Sequence, residues 1–230
     1  MIRSALSLLI LLWSVNGAVA QESAPPDGDP LFDIAGQYAA VEPPQPTADP
    51  ARVEVVELFW YGCPHCYTFE PHLKEWLAGK PEHVDFRRTP AVFRKNWIPH
   101  AQAYYAAETL GVLEQFHSPL FKALHDDKRQ IFTPAEVVDF VAEQGVDRKA
   151  FIEAYNSFAV KSKVKQAIVM TQRYGITGVP SVVINGKYRT SGSIADGFPG
   201  MIDVMNVLIE EEHKDLRTRH ARSEPTRAAN

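Results

Sequence analysis

A dense apolar run at Val53–Tyr61 dominates the pattern of hydrophobic positions, and a helical pattern follows it directly. The run is long and apolar enough to predict a central β-strand. Beyond it, apolar residues fall on one helical stripe, at Phe69, Leu73, Trp76 and Leu77. Gly79 and Pro81 are typical of the end of that helix. Residues 84–89 then predict a second strand, so the sequence opens as strand, helix, strand.

From residue 97 to residue 174 the apolar spacing is helical and gives no convincing strand pattern. Thr133–Glu136 is a capping box with proline at the first helical position, and Asp147 can cap the next helix. Pro119 is expected to interrupt the helical stretch at Val112–His125. Four or five consecutive helices therefore predict a small bundle inserted into an α/β chain.

Strand patterns resume at Gly178–Ile184. Asn185–Gly186 is typical of a two-residue hairpin, with the return strand at Lys187–Thr190. An amphipathic pattern at Pro199–Glu212 predicts a last helix. The division we predict is a signal peptide (1–20), a loose leader (21–36), an α/β domain in two parts (37–96 and 175–213), an inserted helical domain (97–174) and a mobile basic tail (214–230).

The first twenty residues have the pattern of a secretory signal. Arg3 supplies the positive end, residues 6–13 the apolar centre, and Ala18–Ala20 a small-residue site that predicts cleavage after Ala20. The apolar centre is too short to cross a bilayer, although a retained membrane anchor is the alternative. Export would place the chain in an oxidising compartment.

Composition narrows the class of protein. The chain has 230 residues, of which 45% are apolar and 23% charged, as expected for one large domain or one domain with an insertion. Its formal net charge is −4, and its aromatic residues do not alternate with a basic face, so we expect no nucleic-acid partner. The basic tail is a modest patch, for which contact with anionic lipid is an alternative to simple mobility.

The only two cysteines of the chain stand at Cys63 and Cys66, where the central strand passes into the helix. A thiolate is stabilised at a helix N-terminus by unpaired N–H groups and by the helix dipole. Pro64 at the first helical position loses no hydrogen bond, and His65 can add a donor or a positive charge. Cys66 lies on the same face, within disulfide reach. We predict a redox-active Cys63–Cys66 disulfide with Cys63 as the exposed attacking thiol and Cys66 as the buried resolving thiol.

Other roles for this motif fit less well. Haem c attachment needs histidine directly after the second cysteine, where Tyr67 stands. A zinc site would need two further ligands at suitable spacing, and no metal is therefore expected. An inert structural disulfide that closes so short a loop would remove little chain entropy.

Glu57 is the unusual member of the central strand. By alternation it shares a face with Val53, Val55 and Phe59. A carboxylate satisfied by a partner or by solvent is one interpretation, and Arg88 on the next strand is a candidate partner. The other is a carboxylate beneath the thiols that passes protons to and from Cys66.

These features together resemble the DsbA family of periplasmic disulfide oxidoreductases over roughly residues 37–213. The resemblance depends on residues Glu57, Cys63–Tyr67, Phe69–Glu70, Tyr155–Ser162, Gly178–Pro180 and Asn185–Tyr188. It implies an α/β thioredoxin fold with an inserted all-helical domain. It also implies a cis bond between Val179 and Pro180 that faces the cysteines and leaves the Val179 backbone to pair with an extended substrate segment.

By the same resemblance, the protein is a monomeric thiol oxidase without metal or organic cofactor. Its substrates are exported proteins with cysteine pairs, and a DsbB-like quinone reductase of the inner membrane reoxidises it. The alternatives are an isomerase or reductase of the same compartment, and a non-catalytic module that binds peptides or metal. The short leader leaves no room for the dimerisation domain that secreted isomerases of this family carry.

Overall fold

The structure is a computed structural model that describes residues 30–223, and its centre is a five-stranded sheet in the order β1-β5-β4-β2-β3. The strands are β1 (Ala39–Ala40), β2 (Val53–Phe59), β3 (Val84–Pro90), β4 (Ser181–Ile184) and β5 (Tyr188–Ser191). β2 and β3 are parallel, and the other neighbouring pairs are antiparallel. The predicted central strand is confirmed, because β2 has a hydrogen-bonded neighbour on each side.

All seven residues of β2 are buried, since both faces of the sheet are covered. Val53 and Val55 pack in one cluster with Phe69, Met205 and other residues of the flanking helices. Val56 and Leu58 face the opposite side and pack with Tyr174 and Ile176. Glu57 therefore lies on the same side as Val55, as the alternation predicted, and it is 0% exposed.

Eight α-helices surround the sheet within the described residues. They are α1 (Pro30–Asp33), α2 (Pro64–Ala78), α3 (Ile98–Leu110), α4 (Leu113–His125), α5 (Pro134–Glu143), α6 (Arg148–Asn156), α7 (Phe158–Arg173) and α8 (Gly197–Ser223), with a 3-10 turn at Lys95–Trp97. Five of them, α3 to α7, occupy the stretch where a helical bundle was predicted. The Thr133 capping box and the Asp147 cap are both present.

Three local expectations were wrong. α4 runs through Pro119 without interruption, although proline was expected to break it. The last helix continues to Ser223, so residues 214–223 are helical where a mobile tail was predicted. Residues 30–33 of the predicted loose leader also form a helical turn.

The described residues end short of both termini. The predicted signal peptide, the first part of the leader and residues 224–230 lie outside them. Within residues 30–223, none of the helices combines the length and apolarity that a bilayer crossing requires. The predicted domain boundaries stay predictions. One core cluster joins Phe59 and Tyr61 of the sheet side to Phe116 and Phe151 of the helical stretch, so the two parts share buried surface.

Candidate active site

The passage from β2 into α2 presents both cysteines. Cys63 is the N-cap residue of α2, with extended backbone angles of φ −93° and ψ 116°, and Pro64 opens the first turn as predicted. The Cys63 N–H donates to the Trp60 carbonyl at 3.0 Å, which fixes the turn before the helix. No side chain caps this helix end, so its first N–H groups are available to the Cys63 sulfur.

The Cys63 thiol is strongly acidified. A hydrogen bond from the Cys66 side chain lowers its pKa most, against the cost of burial, and the result is about 6. The backbone N–H groups of Cys66 and His65 add to the shift, and the positive charge of His65 contributes last. Cys63 is 9% exposed, which is less open than the sequence predicted. Its Sγ lies 3.4 Å from the Val179 carbonyl oxygen, which packs against it from the loop before β4.

Cys66 has the opposite character. It is 0% exposed, and burial raises the pKa of its thiol well above the ordinary value. The hydrogen bond to Cys63 and the negative charges of Cys63 and Glu57 raise that pKa further. Both cysteines are free thiols in this structure. At neutral pH the pair therefore holds one thiolate, on Cys63, and one thiol, on Cys66.

The loop before β4 completes the surface around Cys63. The bond between Val179 and Pro180 is cis, which confirms the expectation from the family resemblance. Pro180 is buried and Val179 half-buried, and the Ser181 hydroxyl donates to the Gly178 carbonyl at 2.8 Å. The backbone of Val179 thus lies directly beside the reactive sulfur.

An aromatic wall next to Cys63 was not predicted from the sequence. The rings of Trp60 and Trp97 stack at a centroid distance of 4.1 Å and an interplanar angle of 5°. They line a cleft that also contains Cys63, Val179 and the exposed Phe93. A Cβ at Gly62 would overlap the Trp60 ring, so glycine is required for this approach.

Glu57 lies in a charged group on β2, the strand that leads to the cysteines, and its charge acts on Cys66. Its Oε2 accepts a hydrogen bond from Arg88 Nε at 2.8 Å, so the candidate partnership is confirmed. The second oxygen, Oε1, is buried without a hydrogen-bond partner among the described residues. Burial raises the pKa of Glu57 to about 7, with Arg88 opposing the shift and the charge of Glu70 adding to it.

Three further residues extend this group. Sequence reasoning assigned none of them a role, although Glu70 is among the residues on which the family resemblance depends. Glu70 on α2 lies 3.4 Å from the Arg88 guanidinium, and its Oε1 lies 3.3 Å from His117 Nε2. His117 Nδ1 is 2.8 Å from the Tyr61 hydroxyl. We call Glu57, Arg88, Glu70, His117 and Tyr61 the carboxylate–histidine cluster. Its members come from β2, the turn after it, α2, β3 and the more distant α4, and no local pattern marks them as a group.

Across residues 30–223, no group of three or more histidine, cysteine, aspartate or glutamate side chains is arranged to hold a metal ion. His65, which stands between the cysteines, is exposed.

Comparisons with known proteins identify the family. A model of the DSBA-like thioredoxin domain matches residues 83–200. A thiol:disulfide interchange protein DsbA from Burkholderia cepacia is 39% identical over 211 residues, which cover 91% of this chain and 97% of that protein. The DsbA of Azotobacter vinelandii is 42% identical over 196 residues, or 85% of this chain and 90% of that protein.

Solved structures agree with these relatives. The crystal structure of Pseudomonas aeruginosa DsbA matches with a TM-score of 0.76 and 40% identity, over 79% of this chain and 95% of that one. DsbA from Xylella fastidiosa matches with a TM-score of 0.72 and 32% identity, over 77% of this chain and 96% of that one. The predicted fold class is confirmed as α/β, a thioredoxin fold with inserted helices. The chain belongs to the DsbA family of thiol:disulfide oxidoreductases.

Proposed function

We propose that this disulfide oxidoreductase donates a Cys63–Cys66 disulfide to cysteine pairs of exported proteins, with Cys63 as the sulfur that bonds to substrate. The observation that carries the proposal is the opposite pKa shift of the two thiols: the pKa of Cys63 is lowered to about 6, and that of Cys66 is raised. A stabilised thiolate favours the reduced form, and the corresponding disulfide is then a strong oxidant.

The reaction proceeds in two exchanges. A substrate thiolate attacks Sγ of Cys63, the Cys63–Cys66 bond breaks, and Cys66 leaves with the electron pair as a thiolate. A second substrate thiolate then attacks the substrate sulfur of the mixed disulfide, and Cys63 leaves as a thiolate. The substrate is oxidised by two electrons and the enzyme is reduced by two. In the second exchange the bond to Cys63 breaks readily, because a thiol with a low pKa is a good leaving group.

Val179 and Pro180 are the proposed substrate-binding residues. A segment bonded to Cys63 Sγ would lie beside the Val179 backbone, whose carbonyl is 3.4 Å from that sulfur. Extended segments commonly bind by pairing their backbone with that of the receptor. Pro64 and His65 support the sulfur: Pro64 opens the helix without the loss of a hydrogen bond, and His65 supplies an N–H and a positive charge.

Glu57 is the proposed proton donor for Cys66. When Cys66 leaves as a buried thiolate, it needs a proton, and no bulk water surrounds a side chain that is 0% exposed. The Glu57 carboxyl, with a pKa of about 7, holds a proton near neutral pH and can give it up. Glu57→Gln should slow the first exchange and remove the associated pH dependence. An unchanged rate and pH profile would contradict this role.

The remaining proposals concern location and partners. We place the protein in the periplasm after cleavage behind Ala20, as a monomer that needs no cofactor. A DsbB-like quinone reductase of the inner membrane is the proposed partner for reoxidation. N-terminal sequencing of the exported protein tests the cleavage site, and loss of the disulfide form in cells without such a reductase tests the partner.

Two variants test the assignment of the cysteines. With a reduced substrate protein, Cys63→Ser should abolish oxidation, whereas Cys66→Ser in the presence of oxidised substrate should accumulate a mixed disulfide visible by mass spectrometry. Equilibration of the wild type with glutathione buffers gives the redox potential. Failure to trap the mixed disulfide would contradict the roles, and a potential near that of thioredoxin, roughly −270 mV, would make the protein a reductant.

A further inference from the structure

The carboxylate–histidine cluster contains more acidic groups than it can hold ionised. Glu57 and Glu70 share a single guanidinium, Arg88, at 2.8 Å and 3.4 Å. Glu57 is 0% exposed, and the side chains of Glu70 and Arg88 are 17% and 19% exposed. Burial favours a cluster without net charge, because an unpaired charge is costly at such a site. One of the two carboxyls therefore holds a proton near neutral pH, and which one holds it determines what the cluster can do for Cys66.

The hydrogen bonds of His117 settle its tautomer. Burial lowers the pKa of His117, so its ring is neutral near neutral pH and carries one proton. The Tyr61 hydroxyl is buried, and among the described residues its one hydrogen-bond partner is His117 Nδ1, to which it donates at 2.8 Å. Nδ1 is thus an acceptor, so the ring proton lies on Nε2, which donates to Glu70 Oε1 across 3.3 Å. Tyr61 thus holds the imidazole in the orientation in which it donates to Glu70.

This donation favours the ionised form of Glu70. Burial alone would raise the pKa of Glu70, but the hydrogen bond from His117 and the attraction of Arg88 lower it instead. The Glu70 anion then competes with Glu57 for Arg88, and its negative charge disfavours ionisation of Glu57. The proton of the pair consequently lies on Glu57.

We propose that His117 is a positioning residue for thiol exchange, because its donation to Glu70 keeps the shared proton on Glu57, the proposed donor to Cys66, instead of on Glu70. The inference deepens the proposed function, since it assumes that Glu57 protonates the departing Cys66. Without the His117 donor, the proton would move to Glu70, and Glu57 would stay an anion on Arg88. It could then give no proton to Cys66.

Other charged and titratable groups also surround His117. Lys74 on α2, Tyr104 on α3 and Glu114 on α4 line the same cleft as His117, Glu70 and Arg88. The pKa of Tyr104 is raised, mainly by burial, so it stays neutral over the range in which Glu57 titrates. Lys74 and Glu114 carry opposite charges, whose effects on the cluster oppose one another.

The test compares two substitutions of His117. His117→Leu removes the donor, and His117→Gln keeps an N–H toward Glu70. For each variant, the rate of the first exchange with one reduced substrate is measured from about pH 5 to about pH 8. The ratio of the wild-type rate to the variant rate is then taken at each pH, so that the ionisation of the substrate thiol cancels. We expect H117L to be slower by about tenfold near neutral pH, because a positioned proton donor contributes roughly 10²–10⁴-fold and only part of it is lost. H117Q should restore most of the rate.

A second readout separates positioning from loss of structure. In the infrared spectrum of the wild type, the band of the protonated Glu57 carboxyl, assigned by its loss in E57Q, should titrate at about 7. In H117L its midpoint should fall by about one unit or more, because Glu57 then has Arg88 to itself. His100→Leu is the matched control. It removes another buried histidine, whose ring packs against Tyr61 at a centroid distance of 5.8 Å but hydrogen-bonds to the Ile131 carbonyl and not to the cluster. This variant should leave the midpoint unchanged.

The double variant E57Q/H117L decides the outcome. If His117 acts through Glu57, H117L should have no further effect on the pH profile when Glu57 is already replaced. An additional effect, or a Glu57 midpoint that H117L leaves in place, would overturn the inference. These results differ from a failure of the proposed function, in which the wild type itself would not exchange its disulfide with substrate.

Discussion

At the scale of single residues, the acidity of Cys63 depends first on its partner thiol. Motif reasoning favours the helix dipole and the neighbouring histidine, but the hydrogen bond from Cys66 lowers the pKa of Cys63 most, and the charge of His65 least. The second cysteine therefore has two proposed roles: it is the leaving group of the first exchange, and its thiol stabilises the Cys63 thiolate that leaves at the end of the cycle.

This ranking predicts the behaviour of three variants. Cys66→Ala should raise the pKa of Cys63 from about 6 by about one to two units, since the donor is lost. Cys66→Ser, which keeps a hydroxyl donor, should raise it less, and His65→Ala should have the smallest effect of the three. Thiolate absorbance in the ultraviolet measures each midpoint. A larger shift in H65A than in C66A would contradict the ranking.

The sequence predicted the residues of the site that lie close together in the chain and few of those that do not. Cys63, Pro64, His65 and Cys66 share one turn, so their spacing alone determines their arrangement. Arg88 was a candidate partner of Glu57 from strand order alone, and β2 and β3 do pair the two residues. His117 lies 47 residues from Glu70, and only the packing of α4 against α2 brings them together.

At the scale of elements, the connection between β2 and α2 depends on Gly62. Its backbone lies so close to the Trp60 ring that a side chain cannot be added without movement of the indole. The indole is held in turn by Trp97, whose ring stacks on it at 4.1 Å. The turn, the aromatic wall and the position of Cys63 are therefore linked.

Gly62→Ala should displace Trp60 and disturb the site. We expect a weaker near-ultraviolet circular dichroism signal from the stacked indoles and a slower exchange reaction. Destabilisation should be about 1–3 kcal/mol, as for other overpacked sites. Gly79→Ala is the matched control, since a Cβ there would meet only the Trp76 carbonyl oxygen at 3.9 Å. Equal spectra for the wild type and G62A would show that the stack does not depend on this glycine.

The elements also show where local rules fail. Thr133 and Asp147 cap their helices as predicted, because a cap involves only residues three positions apart. Pro119 does not end α4, although a proline removes one helical hydrogen bond. Phe116, Leu120 and Phe121 on the same helix are buried in the shared core, and this packing outweighs the local cost.

At the scale of the whole molecule, the last helix is joined to the β4–β5 hairpin of the sheet. Glu212 on α8 is 2% exposed and accepts hydrogen bonds from Asn185 in the β4–β5 turn and from Lys187 at 2.7 Å. The turn has the predicted hairpin form, with positive φ at Asn185 and Gly186. Its polar side chains satisfy a carboxylate that α8 would otherwise bury alone.

Glu212→Ala should therefore destabilise the protein far more than the same substitution at the neighbouring Glu211. The loss leaves the buried Asn185 amide and the Lys187 ammonium without their partner, at a cost of about 2–3 kcal/mol. Glu211→Ala removes a surface pair with Lys214 and should cost about 0–1 kcal/mol. Urea unfolding of both variants measures the difference. Similar values for the two would show that the contact between α8 and the hairpin does not contribute to stability.

The pKa of Cys63 also makes the stability of the whole molecule depend on redox state and pH. In the reduced protein this pKa is about 6 when folded and near 9.0 when unfolded. Below about pH 6 the thiol is protonated in both states and contributes nothing. As the pH rises from 6 toward 9, the folded protein alone holds a thiolate, so stability increases. The upper bound is about 4 kcal/mol, which solvent screening at this partly open site reduces.

The disulfide form has no Cys63 thiol and lacks this contribution. Glu57 titrates in both forms, so its effect largely cancels when melting temperatures of the reduced and disulfide proteins are subtracted at each pH. We expect this difference to change little below about pH 6, and then to shift in favour of the reduced protein toward pH 8. Cys63→Ser, which has no disulfide to form, should lack the same pH-dependent gain. A difference that does not change with pH would mean that the thiolate is not preferentially stabilised by folding, and the disulfide would then have no reason to pass to substrate.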